Sequence, residues 1–102
     1  MALSSKERAG LRGEAHHLTA LVHVGHQGIT PAIQQSLDDA LRTKELVKIQ
    51  FTKTADVDLK VAAAELAKAV DADVVQVIGR TVTLYRLNRE LKLKDDTPPW
   101  RR

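Results

Sequence analysis

The chain has 102 residues, 43% of them hydrophobic but only 3% aromatic, and a formal net charge of +3. That length suits one domain, with a core built mostly from Leu, Val, Ile and Ala. The absence of cysteine excludes disulfides and thiolate metal sites, and no apolar run approaches the length of a membrane span.

The first seventeen residues carry Lys6, Glu7, Arg8, Arg12 and Glu14 and hold no apolar segment of the secretory kind, so a soluble, cytoplasmic protein is expected. Ser4-Ser5-Lys6-Glu7 has the form of a capping box and predicts a helix to about Ala15. Gly10 and Gly13 weaken that helix, which therefore needs tertiary support. Leu11 and Ala15 can turn inward, leaving Lys6, Arg8 and Arg12 on the outer surface.

Leu18 to Val24 reads as the first strand, with His23 facing away from Val22 and Val24. Gly25-His26-Gln27-Gly28 follows, and then a second helix: Thr30 is its cap, Pro31 its first residue, and Ile29, Ile33, Leu37, Ala40 and Leu41 recur at helical spacing to about Arg42. Leu46 to Phe51 alternates as a second strand. Asp56 or Asp58 caps a third helix whose apolar stripe is Leu59, Ala62, Ala63, Leu66 and Val70. Val74 to Ile78 is the third strand. Gly79-Arg80 has the Gly-X form of a type II′ hairpin, leading into a fourth strand from Thr81 to Arg86.

The order α-β-α-β-α-β-β predicts an α/β domain over residues 1–87, a four-stranded mixed sheet packed with three helices. The two βαβ crossovers are expected to pair their strands in parallel, and the final hairpin to add an antiparallel strand. Residues 88–102 are charged, end in Pro98-Pro99-Trp100-Arg101-Arg102, and read as a mobile tail. The basic excess lies toward the two ends of the chain, around a neutral to acidic middle, an asymmetry suited to a polyanion.

The glycine-bracketed loop carries the sharpest chemical signal. Without Cβ atoms, Gly25 and Gly28 can adopt positive φ and allow another backbone to approach, while His26 and Gln27 project outward. The helix that follows offers unsatisfied N–H groups and a partial positive charge, which favour phosphate. The same loop grammar clamps RNA backbone in the KH module, although a tight strand-to-helix turn without ligand would also produce it.

Other constellations are weaker. His16, His17, His23 and His26 lie close in sequence, but no metal-binding spacing supports them, and no metal or other cofactor is expected. Asp38-Asp39 and Asp95-Asp96 read as solvated pairs. No nucleophile-base set or nucleotide-binding motif is present, so an enzyme is not expected. Tyr85 is the sole aromatic residue able to serve as a base-stacking platform on the sheet, so RNA contact must be led by phosphates. Helix-turn-helix DNA binding does not fit a loop that joins a strand to a helix.

Several segments fall into one register: Leu3-Ser4-Ser5-Lys6, Leu11-Arg12, Ala15-His16, Val24 to Thr30, Glu45 to Lys48 and Val77 to Arg86. Together they resemble the CRM domain, named for chloroplast RNA splicing and ribosome maturation, and most of all its stand-alone bacterial YhbY-like members. The resemblance runs from about Leu3 to Arg86. It implies a fold similar to the C-terminal domain of translation initiation factor three, RNA binding through the GxxG loop and a basic surface, and association with rRNA in precursors of the large ribosomal subunit. The corresponding site residues are Gly25, His26, Gln27 and Gly28, with Lys6, Arg12, Arg80 and Arg86 at matching basic positions and Arg8 beside them. Thr19-Ala20 stands where family members often carry Lys-Pro, and His26 where the loop often carries Lys or Ser. These departures imply weaker binding by the loop, or binding that responds to pH through His26. A monomer is expected, with neither a membrane nor a small-molecule substrate as partner. The other reading is a protein-interaction module that docks on a ribosomal partner with little RNA contact.

Overall fold

A computed structural model describes residues 4–53 and 58–87. The elements run α1 (Ser5–Ala15), β1 (Val22–Val24), α2 (Pro31–Lys44), β2 (Leu46–Phe51), α3 (Leu59–Val70), β3 (Asp73–Ile78) and β4 (Thr81–Tyr85), the order expected. The proposed tail, and Asp56 as a cap, lie outside the described residues.

Local chemistry fixes each helix start. The Ser4 N–H donates to Glu7 Oε1 and the Glu7 N–H donates to Ser4 Oγ, both at 3.1 Å, closing the capping box. Hydrogen bonding to the Ser4 backbone N–H, and then to its side chain, holds the Glu7 carboxyl below the usual carboxylate range. At α2 the Ile33 N–H donates to Thr30 Oγ1, and Pro31 occupies the first turn, where its missing N–H costs nothing. At α3 the Lys60 and Val61 N–H groups donate to Asp58.

The sheet order is β1-β2-β4-β3. β1 and β2 pair in parallel, as a crossover through α2 requires, but β4 enters between β2 and β3 and runs antiparallel to both. The parallel β2–β3 pairing expected from the second crossover is therefore not formed. The side chains give a reason. In β4, Val82 and Leu84 are fully buried and Thr83 is nearly so, which suits a central strand. β3 carries Asp73, an irregularity between Val74 and Gln76 and an exposed Ile78, which suit an edge. β1 is shorter than the expected Leu18–Val24: ahead of it, the Leu21 N–H reaches Lys48 O, but Leu18 and Leu21 stay exposed.

Two clusters lie on opposite faces of the sheet. The main core gathers Val22, Val24, Val47, Ile49, Phe51, Val82 and Leu84 under Leu37 and Leu41 of α2 and Ala62, Ala63, Leu66, Ala67 and Val70 of α3. The smaller one packs Leu11 and Ala15 of α1 on Leu46 and Val75, with Tyr85 at its margin. Leu46, Tyr85 and Asp73 are cross-strand neighbours at one end of the sheet. α1 packs on that end, and with Thr83 of the next row also buried, the outer face is left open only at the other end.

Candidate nucleic-acid interface

Parallel pairing of β1 and β2 sends both strands out at the same end of the sheet, and the β3–β4 turn returns there. The structure consequently brings three loops together: Gly25 to Gly28 after β1, Thr52-Lys53 after β2, and Gly79-Arg80 between β3 and β4. The Thr52 N–H donates to Val24 O at 2.9 Å, the Phe51 N–H to Arg80 O at 2.7 Å, and Arg80 Nη1 to Thr52 O at 3.3 Å. Thr52 is therefore the brace that joins the other two loops.

Within the first loop the Gly28 N–H donates to Gly25 O at 2.9 Å, closing a four-residue turn. Neither His26 nor Gln27 has positive φ, a combination compatible with a type I turn, and both side chains are exposed. Gly28 takes φ +71°, a left-handed conformation that favours glycine. Gly25, contrary to expectation, does not, and a Cβ placed on it would meet Thr52 Oγ1 at 3.8 Å, an ordinary contact. The backbone thus favours glycine at position 28 but not at 25. Beside the loop an open cleft of about 440 Å³ runs past Ala32, Ile33 and Ser36 on the first turns of α2, and the first turn of α2 carries no acidic residue.

At the hairpin tip Gly79 takes φ +56° and Arg80 does not share it, as a type II′ turn requires. Arg80 is exposed there. Lys53, two residues beyond β2, is a further exposed cation at this end. Sequence reasoning passed over it, although the crossover rule held the signal: in a parallel βαβ unit, residues after the second strand lie beside the loop after the first.

The remaining basic residues are placed elsewhere. Arg8 Nη1 donates to Val74 O at 2.7 Å, fastening α1 to the start of the edge strand β3. Lys6 and Arg12 are exposed on α1, which packs at the opposite end of the sheet from the glycine loop. Arg86 is largely buried and makes three side-chain hydrogen bonds to protein. Its Nη1 donates to Asp38 Oδ1 at 2.7 Å and Val70 O at 2.8 Å, and its Nη2 to Asp38 O at 3.0 Å. One guanidinium therefore ties the end of β4 to α2 and to the last carbonyl of α3. Asp38, read as merely solvated, is its partner. The Arg86 hydrogen bond, with added attraction from Arg86 and Arg42, outweighs partial burial and holds the Asp38 carboxyl below the usual aspartate range. Arg42 also pairs with Asp39 on the exposed side.

Tyr85 lies half-buried beside the α1 cluster and so is not presented as a stacking platform. Among the described residues, no group of three or more His, Cys, Asp or Glu side chains comes together as a metal site, and no helix is long and apolar enough to cross a membrane.

A mixed α/β domain with a strand–GxxG–helix loop at one open sheet end defines a recognisable class. The family model of the CRS1 / YhbY (CRM) domain matches residues 3–86, and the chain belongs to that family. It is 33% identical to the probable RNA-binding protein YqeI of Bacillus subtilis over 88% of this chain and 94% of the relative. It is 30% identical to an RNA-binding protein of Haemophilus influenzae over 90% of this chain and 93% of the relative. The probable RNA-binding protein MJ0652 of Methanocaldococcus jannaschii is 40% identical over 82% of this chain and 63% of its own length. The solution structure of the hypothetical protein SAV1595 from Staphylococcus aureus superposes with a TM-score of 0.73 at 30% identity, covering 91% of this chain and all of that one.

Proposed function

We propose that this protein is a non-enzymatic RNA-binding accessory factor of large-ribosomal-subunit assembly, acting in the cytoplasm as a monomer. RNA backbone docks on Gly25-His26-Gln27-Gly28, and Arg80 and Lys53 supply phosphate contacts from the neighbouring loops. The observation that carries this reading is the convergence of the three loops, braced by Thr52, at one end of the sheet. Membership of the CRM family and relatives named as RNA-binding proteins support the RNA part. The family resemblance supports large-subunit precursors as the site of action. Lys6 and Arg12 are exposed on α1 at the opposite end of the sheet and lie outside this interface, and Arg8 and Arg86 serve the fold first.

Replacing His26 and Gln27 together with Asp tests the reading. Two carboxylates on an exposed turn leave the circular dichroism spectrum intact and repel phosphate. RNA affinity is expected to fall at least tenfold, and co-sedimentation with large-subunit precursors to be lost. In the parent, log affinity for single-stranded RNA should fall with log salt by about 0.7 per phosphate contact. Undiminished RNA binding by the double variant refutes the loop as the site, and unchanged RNA binding without any precursor association refutes the assembly role.

A further inference from the structure

On the outer face of the sheet the middle row is shielded at Thr83, and only the row farthest from α1 is open, with a specific make-up. His23 pairs with Gln50, Gln50 with Thr81 and Thr81 with Ile78, so these four residues form one continuous row across all four strands. Their partners in register put them on the face opposite the main core, in the row farthest from the contacts of α1. His23, Gln50 and Ile78 are exposed and Thr81 is half-buried. Ile78, at 61%, is the most exposed large apolar side chain among the described residues. None of the four is a carboxylate. Lys48 stands one row behind, and Arg80 immediately precedes Thr81.

The row also joins the proposed backbone site directly. His23 is two residues before Gly25 on β1, and Thr81 follows the hairpin tip. A chain whose phosphates rest on the glycine loop and Arg80 therefore has its bases within reach of this face. Four strands about 4.8 Å apart span about 14 Å, and a four-stranded sheet of this width accommodates two or three bases in other RNA-binding folds. An imidazole can stack on a base, an exposed isoleucine gives apolar contact, and the Gln50 amide presents both donors and acceptor to a base edge. Bases of a duplex are already stacked and paired and cannot lie on such a surface.

We infer that the row His23-Gln50-Thr81-Ile78 is a base-binding platform, and that the substrate class of this protein is single-stranded RNA. The inference rests on the RNA-binding reading above and adds where the bases go. It commits the open sheet face to RNA because the row holds no carboxylate, has Lys48 and Arg80 beside it, and continues into the glycine loop.

The test compares three fluorescently labelled probes with the full chain: an unstructured 12-nucleotide RNA, an abasic RNA of the same length, and a duplex. The parent is expected to bind the single strand at least tenfold more tightly than the abasic chain, since each stacked base contributes about that factor, and to prefer it over the duplex. The variant His23→Ala, Gln50→Ala, Ile78→Ala should bind the single strand no better than the abasic chain, whose own affinity stays unchanged. A difference that survives in the variant overturns the platform and leaves the RNA reading standing, with the bases then directed to the α2 cleft. Equal binding of all three probes by the parent also overturns the platform. Failure of the parent to bind any probe overturns the RNA reading itself. In the unmodified protein, NMR signals of the Gln50 side-chain amide and the Ile78 methyl groups should move with the single strand and not with the abasic chain. Stationary signals reject the platform whether or not the variant folds.

Discussion

The two ends of the sheet use arginine in opposite ways. At the end where β4 stops, Arg86 is largely buried and spends its donors on Asp38 and Val70, locking the last strand to both helices of the main core. At the end where β4 begins, Arg80 makes one bond to Thr52 and otherwise faces solvent on a two-residue turn. The two positions look alike in sequence, both basic and both at the margin of the same strand. Their difference shows that a basic residue is available to a polyanion only where the fold leaves its donors unspent, and it separates the end that locks the fold from the end proposed to meet RNA.

The largest effect that could break this comparison is on stability at the locked end. Arg86→Ala removes a charge-assisted pair and leaves buried carbonyls short of a donor, so chemical denaturation should show a loss of about 2–3 kcal/mol, with RNA affinity of the folded protein unchanged. A loss of affinity without a loss of stability would reverse the roles assigned to the two ends.

The glycine loop gives the next contrast. Gly28→Ala forces a side chain into left-handed backbone and should cost about 1–2 kcal/mol. Gly25→Ala should leave the midpoint of denaturation almost unmoved, because its φ is ordinary and the added methyl group fits. If RNA backbone approaches as proposed, the same change weakens binding severalfold. Equal destabilisation by the two substitutions would mean that the loop is held differently.

A smaller effect is expected at the end proposed to meet RNA. Arg80→Ala should lower RNA affinity severalfold and reduce the salt slope by about 0.7, the share of one phosphate on a single strand, while thermal unfolding stays nearly the same. An unchanged slope would remove Arg80 from the interface.

The smallest effect is in acid. A carboxyl whose folded pKa is depressed adds stability above its unfolded pKa, and this is lost as pH falls through the folded value. Asp38 is such a group, held down chiefly by its hydrogen bond from Arg86. The parent should therefore lose this contribution progressively below about pH 4, and Arg86→Ala should show a shallower decline over the same window. Parallel acid profiles would mean that the pair does not carry the shift.

Much of the fold was legible because its punctuation is local. Ser4 with Glu7, Thr30 with Pro31, and Asp58 each satisfy helix N–H groups within a few residues, and Gly79-Arg80 sets its own turn. The insertion of β4 between β2 and β3 was not legible, because it depends on which strand buries its residues most completely, and the run Val74 to Ile78 looked as apolar as Val82 to Leu84. Part of the candidate site was legible for the same local reason: the glycine loop and hairpin tip are short motifs. Lys53 joins them only through the parallel pairing of β1 and β2, and the engagement of Arg86 depends on Asp38, distant in sequence. That pair could be found only by folding the chain.

The central claim is that RNA meets the protein at one end of the sheet while the other end holds the fold. Titrating isotope-labelled protein with single-stranded RNA and following backbone amide signals tests this most directly. The account predicts shifts concentrated at residues 23–30, 50–53 and 78–81, with the amides around Asp38 and Arg86 stationary. Shifts centred on Asp38, Val70 and Arg86, with the glycine loop unmoved, would contradict it.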